Sequence, residues 1–241
     1  YLFLLGGILG AFFSKFTTDL LSRKQAIPIN NIFVLVASIL IFASKYIESP
    51  VSLMISRFLF GIQGGMTCVT VPIYLIEISP IQMRGQVCLI HQLFVLIGIL
   101  FSHLFSFKRM LGTEEKWHYL HALPPFIVSI ICCIFFIMFC PDTPRSLLLK
   151  NADHEGARTV LMRLRNTSNV AAEIEEINEE SRHSSTDESL SLIQILKNNH
   201  YRSLVLFGLF LQFVQQFCGS EAVNIIFKQK FKTSLEKNLF L

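Results

Sequence analysis

Six long apolar stretches, separated by short polar breaks and one long polar block, set the pattern of this chain. They cover residues 1–16, 26–44, 51–76, 87–107, 119–140 and 203–227. A bilayer core about 30 Å thick takes roughly 20 residues of helix, and five of the six reach or approach that length. Backbone groups in lipid must be satisfied within their own segment, so the pattern predicts six membrane helices. The first is short because the sequence opens inside it, at a Tyr1 that follows no Met and no charged leader. The expectation is therefore a piece of a longer chain that lacks at least part of one helix.

The polar block behaves differently. Ala157, Val160, Leu161 and Leu164 recur at the spacing of one helix face, and Asp153 stands where an N-cap belongs. A second, acidic run over residues 169–180 turns Ile174 and Ile177 to one side, and the polar RHSSTDES over residues 182–189 reads as a hinge. The block thus predicts several short helices across residues 147–199. Their charged faces are either simply solvated or form a clamp that touches the membrane helices.

Composition sharpens this division. Apolar residues make up 52% of the 241 and charged residues 16%, and 18 of the 38 charges fall within residues 141–202. A chain this apolar, with its charge in one block, is an all-α membrane protein with one soluble insert. The net charge of +4 is too small a bias to suggest a nucleic-acid partner. The six cysteines lie in apolar stretches with no C-x-x-C pair, so they form neither a disulfide framework nor a zinc ribbon. With no Walker motif, metal-ligand spacing or activated nucleophile, no enzyme and no cofactor is expected. Lys and Arg number twelve on the side of the insert and nine on the other. That margin puts the insert in the cytoplasm.

Polar residues inside apolar helices are costly and hence informative. Arg57 lies early in the third stretch, Gln92 follows His91 in the fourth, and Gln212, Gln215 and Gln216 share a face in the last. A carboxamide offers two donors and two acceptor lone pairs. A row of them suits a neutral ligand rich in hydroxyls, or else holds neighbouring helices together. Spacing alone leaves both readings open.

The loops carry more specific information. RFLFGIQGGMTCVTVPIYLIEISPIQMRG, with Gly61 and Gly65 on a close-packing face and Glu77, Pro80 and Arg84 after it, resembles the signature of the sugar porter family of the major facilitator superfamily. HQLFVLIGIL from His91, PDTPRSLLL from Pro141 and LQFVQQFCG from Leu211 resemble further blocks of that family, in its order. The likeness spans nearly the whole chain and is strongest to animal facilitative glucose transporters.

The resemblance implies a partial major facilitator helix bundle. Residues 1–140 would hold five membrane helices of the first bundle, without its first helix. Residues 141–202 would be the cytoplasmic helical linker, 203–227 the first helix of the second bundle, and 228–241 a basic tail. It also implies facilitative hexose transport by alternating access in a multi-pass membrane protein, in the plasma membrane, whose partners are a hexose and the lipid bilayer. Carried over by position, Gln92, Gln215 and Gln216 match sugar contacts. Glu77 with Arg84, Arg23 with Lys24, and Asp142 with Arg145 match cytoplasmic gating charges, and Glu77 and Arg84 are expected close together with Pro80 folding the chain back between them. Several positions depart from the family pattern. Asp19-Leu20-Leu21-Ser22-Arg23-Lys24 lacks a glycine and an arginine of the usual loop, Lys15 replaces a small residue, and Glu221 replaces a sugar-contacting asparagine. Two alternatives follow from these departures: a non-transporting sensor or interaction protein, and a proton-coupled porter in which Glu221 titrates.

Overall fold

The structure, a computed structural model, describes residues 1–47, 49–106, 113, 116–150, 153–167, 169–186 and 199–217. Among them the chain forms α1 (Leu2–Leu20), α2 (Arg23–Ile47), α3 (Pro50–Ile78), a 3-10 turn (Ile81–Met83), α4 (Arg84–Phe105), α5 (Trp117–Phe139), α6 (Pro144–Lys150), α7 (His154–Arg165), α8 (Ala171–Thr186) and α9 (Asn199–Phe217). No described residue lies in a strand. Each predicted apolar stretch is helical where it is described, apart from the end residues Tyr1, Ser106 and Cys140. Four helices, α2 to α5, are long and apolar enough to cross a membrane, while α1 and α9 hold shorter apolar cores.

Local chemistry sets the ends. Ser49 precedes α3 and Pro50 occupies its first turn, where the missing N–H costs nothing. At the other end Ser79, which precedes Pro80, is extended, as a following proline favours. The helix therefore stops at Ile78, passes through the 3-10 turn and restarts at Arg84. That stop separates Glu77 and Arg84 into different helices, as expected from Pro80.

Two compact units divide the chain, Tyr1–Ile177 and Asn178–Leu241. In the first, α3 packs against both α1 and α2, and α2 packs in turn against α5. The α1–α3 seam is lined by glycine. A Cβ on Gly6 would meet the Phe58 carbonyl, one on Gly10 the Ile62 carbonyl, one on Gly61 the Phe3 carbonyl, and one on Gly65 the Gly7 carbonyl. Position rises together along both helices, so they run parallel, each presenting a small-x-x-x-small pair that lets the backbones touch. α2 runs antiparallel to its neighbours. The Ser129 hydroxyl of α5 donates to the Asn31 carbonyl at 3.2 Å, and Ser52 of α3 donates to the Leu40 carbonyl at 2.9 Å. By contrast α4 has no buried residue.

The insert begins with Thr143, whose side-chain oxygen accepts from the Ser146 N–H and starts α6 with Pro144 behind it. Asp153 caps α7 as expected, accepting from the Gly156 N–H at 2.8 Å. Ala157 and Leu161 are fully buried, and Val160 and Leu164 half-buried, on the predicted face. Asn166, at φ 52°, then turns the chain in the left-handed region that asparagine tolerates. One expectation needs correction. The polar run from residue 182 opens as helix, because α8 continues to Thr186. Serine, histidine and arginine lower helix propensity only slightly, and neither glycine nor proline interrupts the run. Residues 187–189 of the expected hinge lie outside the described residues.

In the second unit, α9 starts at Asn199, four residues before the apolar stretch that predicted it.

Candidate functional site

Of the charged residues singled out in the sequence, Arg23 and Lys24 open α2, Glu77 lies at the end of α3, Arg84 opens α4, and Asp142 and Arg145 lie just before and within α6. Arg23, the first residue of α2, donates from Nε to Glu77 Oε1 at 3.4 Å. The antiparallel course of α2 and α3 brings these two together across 54 residues of sequence. Their side chains are 23% and 10% exposed, so the pair is shielded but not dry. The second carboxylate oxygen of Glu77 and Nε of Arg84 are buried without a hydrogen-bond partner among the described residues. Oδ1 of Asp142 shares that condition. Lys24, next to Arg23 on α2, and Arg145, in α6, are half-buried. A buried polar atom without a hydrogen-bond partner, such as Glu77 Oε2, Arg84 Nε or Asp142 Oδ1, is expensive.

A second ion pair at this end was not anticipated. Arg165, the last residue of α7, grips both carboxylate oxygens of Glu173 through Nε and Nη2, at 2.6 to 3.2 Å. Its Nη1 donates to the Ile78 carbonyl at 2.9 Å. Tyr74, one turn earlier on α3, donates its hydroxyl to the Pro141 carbonyl at 2.9 Å. The sequence held one signal for the Arg165 pair, a basic residue ending one short helix and an acid opening the next. It held none for the contact with α3.

Of the three glutamines expected to contact sugar, Gln92 is the one whose side chain is described. Gln92 is exposed on α4. Gln215 and Gln216 belong to the final turn of α9 in the second unit, and their side chains lie outside the described residues, as does all of Glu221. Arg57 is exposed on α3. Sequence reasoning also passed over buried polar groups inside α2. Asn30 is 1% exposed with both amide atoms unpartnered among the described residues, and the Ser38 hydroxyl, 2% exposed, is unpartnered too. Such groups in a membrane helix are costly unless they serve a purpose or hold a water. Among the described residues no cluster of three metal-ligating side chains occurs.

The comparisons with known proteins agree with one another. The family described as "Sugar (and other) transporter" matches residues 1–236. Facilitated glucose transporter member 2 of solute carrier family 2 from Sus scrofa is 32% identical over 236 residues, which is 97% of this chain and 44% of the relative. Member 1 from Gallus gallus is 31% identical over 222 residues, 92% of this chain and 45% of the relative. The chain thus spans less than half the length of these relatives. Among solved structures, the inward open xylose transporter XylE from E. coli superimposes with a TM-score of 0.69 at 18% identity, over 92% of this chain and 50% of that one. Its partially occluded inward open form gives 0.72 at the same identity, over 92% and 51%. At that identity the likeness is one of fold, that of a major facilitator helix bundle.

Proposed function

The chain belongs to the sugar (and other) transporter family, and we propose that it forms one side of a facilitative hexose carrier working by alternating access. Family membership, together with four helices fit to cross a membrane, makes it a multi-pass membrane protein. In the proposed arrangement the insert faces the cytoplasm, the membrane is the plasma membrane, and the carboxamides of Gln92, Gln215 and Gln216 exchange hydrogen bonds with sugar hydroxyls. Arg23, Lys24, Glu77, Arg84, Asp142 and Arg145 gate the cytoplasmic end. They pair when that end is closed, and hydrate or change partner when it opens.

The observation that carries this reading is the Arg23–Glu77 pair, set beside the proline stop of α3 in a chain that matches the family along nearly its whole length. Carriers of this architecture rock one bundle against another around a site at the membrane midplane. The chain alone accordingly gives no sugar flux. A second reading, a non-transporting interaction protein, draws on Glu221 in place of an amide and on the exposed Gln92.

Co-expression separates the two. The chain is produced in cells without hexose uptake, alone and together with the C-terminal bundle of a facilitated glucose transporter. Saturable D-glucose entry above the L-glucose background, only when both parts are present, is the expected result. No stereospecific entry in either case, with both parts folded in the membrane, supports the interaction protein instead.

A further inference from the structure

Helix α3 ends with four carbonyl groups that have no partner in the helix, and with the partial negative charge that sums at a helix C-terminus. Two arginines meet this end, and they come from different parts of the chain. Arg23 at the start of α2 takes the carboxylate of Glu77, and Arg165 at the end of α7 takes the carbonyl of the next residue, Ile78. Arg165 can do more than one thing at once because its guanidinium presents five N–H donors in a fixed fork. Nε and Nη2 hold Glu173 in both-oxygen fashion while Nη1 holds α3. The side chain is only 15% exposed, so water competes weakly with these charge-assisted bonds.

The surroundings make the arrangement definite. Asn166 turns the chain in the left-handed region directly after Arg165, which brings Glu173 at the start of α8 back to the guanidinium. Val170 is 3% exposed within that turn, and Ala157, Leu161 and Leu148 close a small apolar core beneath α7. α6 packs on α7 and also touches α3.

We infer that Arg165 is a positioning residue that fastens the insert to the membrane bundle, so that α6, α7 and the start of α8 move with α3 as one body and hold its last turn where Glu77 meets Arg23. The inference builds on the gating role proposed for Glu77, but its geometry does not depend on the substrate. The insert is then no flexible tether over this span. It is a bracket on the end of α3, and a bracket of this kind makes the Arg23–Glu77 pair sensitive to anything that displaces α7.

Hydrogen exchange of the whole chain in lipid nanodiscs, followed by mass spectrometry, tests this without requiring sugar flux. Arg165→Ala is expected to speed exchange about tenfold at the amides of the last turn of α3, the effect of losing one charge-assisted hydrogen bond. It should also loosen residues 169–177. Glu173→Gln removes the ion pair but keeps the donor to Ile78, so it should loosen residues 169–177 and leave the α3 turn as protected as in the wild type. Arg165→Lys, with a single ammonium for two acceptors, should loosen at least one of the two regions, and it serves if the alanine variant fails to fold. An α3 turn unchanged by Arg165→Ala, or loosened equally by Glu173→Gln, overturns the inference. Wild-type exchange in both regions of Arg165→Lys does so too. Failure here leaves the carrier reading intact, whereas absent sugar uptake with these exchange results intact overturns only the carrier.

Discussion

The α1–α3 seam and the charged end of α3 lie on the same helix and are held by opposite means. Along the seam, Gly6 and Gly10 face Gly61 and Gly65 so closely that a methyl group at any of them would run into backbone of the other helix. At the end, Arg23 reaches Glu77, and Arg165 reaches Glu173 and the Ile78 carbonyl, through long side chains, and Glu77 Oε2, Arg84 Nε and Asp142 Oδ1 are buried and unpartnered among the described residues. Dispersion between touching backbones is strong in sum and has a single geometry. Charge-assisted hydrogen bonds at a half-sheltered surface can be broken, hydrated and re-formed. A helix built this way has one flank held by touching backbones and one end held by polar contacts.

The sharpest break in that contrast comes from the seam. Gly10→Leu or Gly65→Leu should abolish the folded bundle, and the alanine variants should cost about 1–3 kcal/mol, as overpacking of a close contact does. Thermal unfolding in detergent would show this as an apparent Tm lowered by several degrees. Gly98→Ala on α4 is the control, since a Cβ there meets nothing within 4 Å. It should leave Tm unchanged or raise it slightly, because alanine is the better helix former. Equal losses at Gly10 and Gly98 would remove the seam from the account.

Smaller effects belong to single polar contacts. Tyr74→Phe removes the hydrogen bond to the Pro141 carbonyl and should cost about 1 kcal/mol. Asp153→Ala removes the cap of α7, with a comparable cost of about 1 kcal/mol confined to the insert. Exchange protection should fall within residues 154–165 for Asp153→Ala while the α1–α3 seam stays as it was. Loosening of the seam would mean that insert and bundle fold as one cooperative unit.

The two regions also differ in how far the sequence disclosed them. The pair Gly61 and Gly65 was legible because a small-x-x-x-small spacing on an apolar helix has one common use. Its partners Gly6 and Gly10 carry the same spacing and went unremarked. Asp153 and the buried face of α7 could be read because capping and helix periodicity are local rules. The partner of Glu77 was not local. It depended on α2 and α3 lying antiparallel, which brings position 23 beside position 77, and no spacing rule spans 54 residues. Arg165 was hidden for the same reason, since its contact with Ile78 needs the fold of the insert onto α3. Gln92 shows a third limit. An amide in an apolar helix announces that something polar is required, but helix periodicity alone does not say what α4 faces, and α4 buries none of its residues within this unit. Asn30 and Asn31, in the middle of an apolar stretch, offer the same kind of signal.

The most direct test compares transport with stability in Glu77→Gln, using the two-part uptake assay and the apparent Tm of the same preparation. If the charged end is a gate, the amide should lower stereospecific D-glucose uptake about tenfold or more. Tm should move by no more than about 2–4 °C, the shift expected for roughly 1 kcal/mol in a domain of this size. Gly10→Ala should show the reverse order, with Tm falling first and uptake following it. Uptake and Tm falling together in Glu77→Gln, in the proportion seen for Gly10→Ala, would contradict the account and make the charged end one more structural contact.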